Sequence, residues 1–333
     1  MATSDDHNPD LDRLRNMPIR SEEIGFSRDE MTPCSKCGKP NAPNRAACLY
    51  CGTTIAGRGS TKLNVRELEN WEKGFNVVIR DVGDSDVETV AAELASMLGR
   101  DVELFRNILR TGRSVPLVRL ESESQAAIVM ERLGRLGVQA HVIADQSLHP
   151  DSRPVRLRSI AFGDAELRLR PFNPGADEVL ARSDLALIAV GAIFEERIES
   201  LERRKRKEAK TLSESQLSFD EAVVDIYSRH DPLGWRIPAS GFDFSCLGQD
   251  KARLAAENMS RLITRLREFS PAARIVDDYA DLRSLLEHCW PGESRKDARR
   301  IPGGFGRKDV ASVVMTSNTG QWTKYSRLQW HLL

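Results

Sequence analysis

Cys34, Cys37, Cys48 and Cys51 are two C-x-x-C pairs ten residues apart within eighteen positions, while Cys246 and Cys289 stand alone. In a reducing compartment such spacing reads as a tetrahedral four-cysteine zinc site rather than as disulfides. A C-x-x-C turn aims two thiolates at one ion and points backbone N–H groups at the sulfurs. Gly38 and Gly52 follow the two pairs and allow the positive φ that such a turn uses. The expected cofactor is therefore one structural Zn2+. About 20 residues cannot hold themselves together without the metal.

The segment CSKCGKPNAPNRAACLYCG resembles the short zinc ribbons found at the ends of many bacterial proteins. It is also similar to the Ran-binding-protein type of zinc finger, whose pattern has an Asn four residues after the second Cys, where Asn41 stands. Members of that family bind single-stranded RNA or ubiquitin. The RNA binders stack bases on a Trp just before the first Cys, whereas Met31, Thr32 and Pro33 stand there in this sequence. A structural or protein-docking role for the ribbon is the expectation.

Other groups could do chemistry only if the fold gathered them. Asp220, Asp225, Asp243, Asp277 and Asp278 could converge as a metal-dependent hydrolase site. Cys246 is a conceivable nucleophile, with His288 as its base. No G-x-S-x-G, Walker loop or G-x-G-x-x-G is present, and GGFG at 303–306 follows proline instead of joining a strand to a helix. The sequence thus points away from an enzyme. Arg203, Arg204, Lys205, Arg206 and Lys207 are consecutive; a phosphate-contacting arm would use such a run, as would an exposed loop. Between Cys34 and Lys62 there are five bases and no acid, and the first 33 residues carry eight acids against four Arg.

The whole chain of 333 residues balances 49 Lys and Arg against 49 Asp and Glu, which predicts no chain-wide attraction to DNA or to an anionic membrane. No apolar run reaches the ~20 residues of a membrane span, and the polar, acidic start has no hydrophobic segment behind it, so a cytoplasmic protein is expected.

These groups need a scaffold, and the patterning predicts a multi-domain α+β chain. An acidic, disordered tail (1–31) precedes the ribbon (32–54), and a linker (55–73) ends in a short helix from Val65 to Lys73. Over 74–145 the order β-α-α-β-α-β follows from a β-branched strand at Phe75–Val82 and a helix with Val87, Val90, Ala91, Leu94 and Leu98 inward. A second helix uses Val102, Phe105, Ile108 and Leu109, and a third uses Ala126, Val129, Met130, Leu133 and Leu136. Strands at Val115–Leu120 and Val138–Ala144 complete the unit.

The stretch from FNVVIRDVGDSDVETVAAELASML through ESQAAIVMERLGRLGVQAHVIA resembles the C-terminal domain of the bacterial ribosomal stalk protein and the related N-degron adaptor of the Clp protease. Both are recognition modules without chemistry of their own, and the resemblance implies the same role here. Their ligand residues do not carry over. The stalk lysines align with Glu103 and Arg106, and RDVGDSD and ILRTGR hold neither the Asn nor the His of the adaptor.

After a polar linker at 145–155, the region 155–333 reads as a C-terminal α+β domain with barrel-like strands capped by a long helix at 250–269, and a second helix from Asp278 to Trp290. Residues 291–308 read as a basic loop, and Val310–Leu333 as two strands around Ser317–Gly320. The expected function is a zinc-binding, non-catalytic adaptor with another protein as partner. The alternative is an RNA- or ribosome-associated factor using the basic segments, with a carboxylate-dependent enzyme behind both.

Overall fold

The computed structural model describes residues 31–42, 45, 47–53, 55, 62–63, 65–205, 208–302 and 308–333. The acidic tail up to residue 30, Arg206, Lys207 and the GGFG stretch lie outside the described residues. The chain divides into two compact units, 1–61 and 62–333.

In the first unit, β1 (Thr32–Pro33) and β2 (Pro40–Asn41) pair antiparallel around the first C-x-x-C turn. Its small core is Cys34, Cys48 and Ile55.

The second unit opens with β3 (Phe75–Asp81), α1 (Val87–Leu98), α2 (Val102–Arg110), β4 (Pro116–Leu120), α3 (Glu123–Arg135) and β5 (Gln139–Ala144). This is the β-α-α-β-α-β order read from the sequence. The strands form an antiparallel sheet in the order β4-β3-β5. Asp86 caps α1 by accepting the Thr89 N–H at 3.0 Å, and Ser122 caps α3 through the Gln125 N–H at 3.3 Å. Gly99 ends α1 at φ +64°, a left-handed conformation that favours glycine.

No helix forms at 65–73. The carbonyls of Leu68, Glu69 and Glu72 instead accept from the guanidinium of Arg119, which ties this segment to β4. Nor is the start of 145–155 a free linker. Asp145 and Leu148, the ends of a 3-10 turn, are both buried.

The C-terminal region contains β6 (Val155–Phe162), β7 (Glu166–Pro171), β8 (Glu178–Ala181), β9 (Leu185–Lys205), β10 (Glu208–Ser228) and β11 (Trp235–Pro238). Then come α4 (Ala255–Phe269), β12 (Arg274–Val276), α5 (Tyr279–Leu286), β13 (Glu293–Pro302), β14 (Lys308–Ser317) and α6 (Thr319–His331). Eight strands lie in the order β13-β14-β9-β10-β11-β6-β7-β8, with β12 added in parallel to β9. The long helix α4 sets Met259, Leu262 and Leu266 on the core formed by Leu157, Ile160 and Leu169. A second core joins Val77 and Leu117 of the smaller sheet and Leu94 of α1 to Leu187, Tyr279 and Trp322, so the two sheets of this unit share apolar interior.

Three expectations are corrected here. Arg203–Lys205 are the end of a strand, not a loop, because β9 and β10 continue as a hairpin of 21-residue strands. The basic stretch from 293 to 302 is also a strand, since β13 pairs with β14 and β14 pairs with the outer half of β9. Finally, the second half of Val310–Leu333 is helix α6. It escapes an amphipathic reading because nearly every side of it is buried: Gln321, Thr323, Lys324, Ser326, Arg327 and Gln329 are all interior. An unsatisfied buried polar group costs about 1–3 kcal/mol, and this helix avoids most of that cost. Gln321 donates to the Trp290 carbonyl at 2.8 Å and accepts from the Tyr279 hydroxyl at 2.7 Å. Ser326 donates to Asp225 at 3.0 Å, and Arg327 to the carbonyls of Leu148 and Leu233 at 3.1 and 3.2 Å. Gly191 of β9 is required beneath this helix, since a Cβ there would stand 2.5 Å from the Trp322 ring.

Candidate metal centre

Each C-x-x-C pair sits in the same hydrogen-bonded turn. Gly38 N donates to the Cys34 carbonyl at 2.8 Å and Cys34 N to that of Lys39 at 3.0 Å. In the second turn, Gly52 N donates to the Cys48 carbonyl at 2.9 Å and Cys48 N to that of Thr53 at 2.8 Å. The closing glycines have φ of +68° and +70°, where a Cβ would be strained. The glycine after each pair is thus what allows the sequence to make the same turn twice.

The two turns face one another. All four sulfurs lie within 4.8 Å of each other, with Cys34 to Cys51 at 3.6 Å and Cys37 to Cys48 at 3.5 Å. None is in a disulfide. A tetrahedral ion with metal–sulfur bonds of about 2.3 Å needs sulfurs about 3.8 Å apart, so the donor set can hold one such ion. Cys34 and Cys48 are buried while Cys37 and Cys51 are exposed, which turns one side of the cluster toward solvent.

Asn41 organises the second pair. Its Nδ2 donates to the Cys48 sulfur at 3.4 Å and to the Lys39 carbonyl at 2.8 Å, and its Oδ1 accepts the Leu49 N–H at 2.8 Å. Tyr50 N also points at Cys48, 3.4 Å from the sulfur. Burial opposes ionisation of Cys48, but the Tyr50 and Cys51 N–H groups and the Asn41 amide outweigh it and bring the thiol down to about 6. The thiolate is the form that binds metal. Outside this arrangement Leu49 and Tyr50 are 63% and 55% exposed, and the Lys39 ammonium lies 4.5 Å from the Tyr50 ring centre.

The remaining candidates are dispersed. Asp225 is buried in a two-pronged ion pair with Arg236, at 2.8 and 2.7 Å. Asp220 pairs with Arg283 at 3.0 Å, Asp243 caps the Ser245 turn, and Asp278 accepts from Tyr325 and pairs with Arg113. Asp277 is exposed. Among the described residues no further group of three or more His, Cys, Asp or Glu is close enough to share an ion.

Cys246 packs on the α4 core, and burial raises its thiol. His288 is held elsewhere, with its ring nitrogens facing the carbonyls of Leu117 and Leu285. The sulfur 3.1 Å from its Nε2 belongs to Cys289, which is buried and whose thiol is pushed up by that burial. These residues do not form the nucleophile and base that Cys246 with His288 would require.

Arg203, Arg204 and Lys205 end β9, and register pairs Arg203 with Lys210 and Arg204 with Lys308. Among the described residues no helix is long and apolar enough to cross a membrane. The spacing in the sequence points to the four cysteines that the fold brings together, but not to Asn41's part in holding Cys48, for which its position in the finger pattern was the available signal. No family model, curated protein or solved structure matches the chain.

Proposed function

We propose that this chain is a zinc-binding, non-catalytic interaction protein whose ribbon docks another protein. The observation that carries the reading is the pair of matching turns holding four thiols within 4.8 Å, with Leu49 and Tyr50 exposed on the second turn. Soft thiolate donors in tetrahedral array suit zinc, and a four-sulfur shell leaves no open position for a reacting water. The zinc then fixes the turn that presents the Leu49–Tyr50 pair. Aromatic anchors on a rigid base are what protein interfaces use at their centres. The acids and thiols able to do chemistry are tied to separate partners, which fits an adaptor better than a hydrolase.

The test is a low-salt affinity purification comparing wild type, Cys34→Ser/Cys37→Ser and Tyr50→Ala, with zinc, protein and nucleic acid assayed in each eluate. The adaptor reading expects one discrete protein partner that both variants lose, while only the cysteine variant loses zinc. Partner binding that survives both changes would overturn it.

One observation favours a second reading, an RNA- or ribosome-associated factor. Strand pairing gathers Arg203, Arg204, Lys205, Lys210 and Lys308 at one end of the β9–β10 and β13–β14 hairpins, interspersed with Glu208 and Asp309. Nuclease-sensitive material in the eluate that disappears at higher salt, and on charge reversal of this run, would support that reading over the adaptor.

A further inference from the structure

The outer halves of β13, β14, β9 and β10 form a four-stranded ribbon with two contrasting edges. β11 pairs only with Val223–Ile226 of β10, so residues 211–221 have no strand on their far side among the described residues. From Thr211 to Asp220 every residue is exposed. At the opposite edge, β13 presents Arg295, Lys296, Asp297 and Arg299 and ends in Pro302. Charges and proline are how proteins keep an edge strand from pairing. The β10 edge has no such guard. Between Thr211 and Phe219 its one charge is Glu214, and it carries Leu217 at 63% and Phe219 at 47% exposure.

We propose that this edge pairs antiparallel with the same edge of a second copy of the chain, joining two ribbons into one eight-stranded sheet about a two-fold axis. The regular part of the edge begins after the irregularity between Thr211 and Ser213 and runs from Ser213 to Phe219. Folded on itself about Gln216, that segment sets Ser213 against Phe219, Glu214 against Ser218, and Ser215 against Leu217. No like charges oppose one another, which across a strand pair would be destabilising, and each apolar side chain meets a small serine that leaves it room. The β13 edge of a second copy fits less well, because it would lay Arg295, Lys296 and Arg299 along a stretch, Ser213–Phe219, whose single acid is Glu214. Seven paired residues bury less than a standard interface, so the dimer is weak and concentration-dependent. It has the isologous form in which the same patch serves both copies.

Sedimentation velocity of the full chain over a concentration series tests this. The expected result is a monomer–dimer equilibrium abolished by Leu217→Lys and, independently, by Ser215→Lys, with the thermal melt of each variant unchanged because both sites are exposed. Arg295→Glu/Lys296→Glu should leave the dimer intact. A wild-type monomer at every concentration would overturn the proposal, as would a dimer insensitive to both edge lysines. Growth beyond dimers that weakens on reversing the β13 charges would overturn it in favour of head-to-tail pairing.

Discussion

Asn41 and Cys48 are joined directly: the amide of one donates to the sulfur of the other at 3.4 Å, and the same amide oxygen accepts the Leu49 N–H. A single buried side chain therefore orients one thiol of the four-cysteine cluster and the backbone that carries the exposed Leu49–Tyr50 pair. Asn41→Ala removes both bonds while leaving the four thiols. Outer-shell partners of this kind are worth about 10–100-fold in metal affinity, so zinc affinity should fall by roughly tenfold or more in a chelator competition.

Metal removal should act locally. Among the described residues the ribbon's core is three residues, two of them cysteines, whereas 62–333 has its own extensive cores. A zinc chelator should therefore raise amide exchange across 32–53 and leave β3 and α1 protected. Loss of protection in both units would show that the larger one depends on the metal.

Asp145 should prove central to the second unit. It is buried and accepts from Arg119 at 2.8 Å, Gly74 N at 2.8 Å and Asn76 at 2.9 Å, while Asn76 accepts from the Trp290 indole at 2.9 Å. Removing one partner of a buried pair leaves a charge without compensation, at a cost of about 3–5 kcal/mol. Asp145→Ala should lower denaturant stability by that order, and Arg119→Met/Asp145→Leu should recover part of it.

Lys324 carries the opposite expectation. Burial in α6 lowers its ammonium pKa, against the pull of Asp145. The folded value lies below the unfolded one, so the unfolded chain binds more protons between them and stability gains as pH rises through that window. Lys324→Met should be stabilising near neutral pH, since burying the charge is a larger effect on Lys324 than the pull of Asp145. The advantage should shrink at alkaline pH. Chemical denaturation of both proteins at neutral and alkaline pH checks the sign.

The unit at 74–145 was legible because its helices have one apolar face each and its turns carry their own signals, such as Asp86 at the start of α1 and Gly99 at its end. The four cysteines were legible for a similar reason, since their spacing and following glycines encode the turn locally. What was not legible depended on distant partners. The Val65–Lys73 segment is apolar enough at Val65 and Leu68 to suggest a helix, but Arg119 takes its carbonyls. Helix α6 shows no exposed polar face, because its polar side chains turn inward to partners that include Trp290, Tyr279, Asp225 and Leu148, all distant in sequence. Arg295–Arg300 looks like a loop by charge, and is held extended by β14.

The most direct measurement is the zinc content of the purified full chain by native mass spectrometry, beside Cys34→Ser/Cys37→Ser. A structural four-thiolate site requires one zinc per chain in the wild type and none in the variant. A wild-type chain without zinc, or a variant that retains it in full, would contradict the assignment of Cys34, Cys37, Cys48 and Cys51 as its ligands.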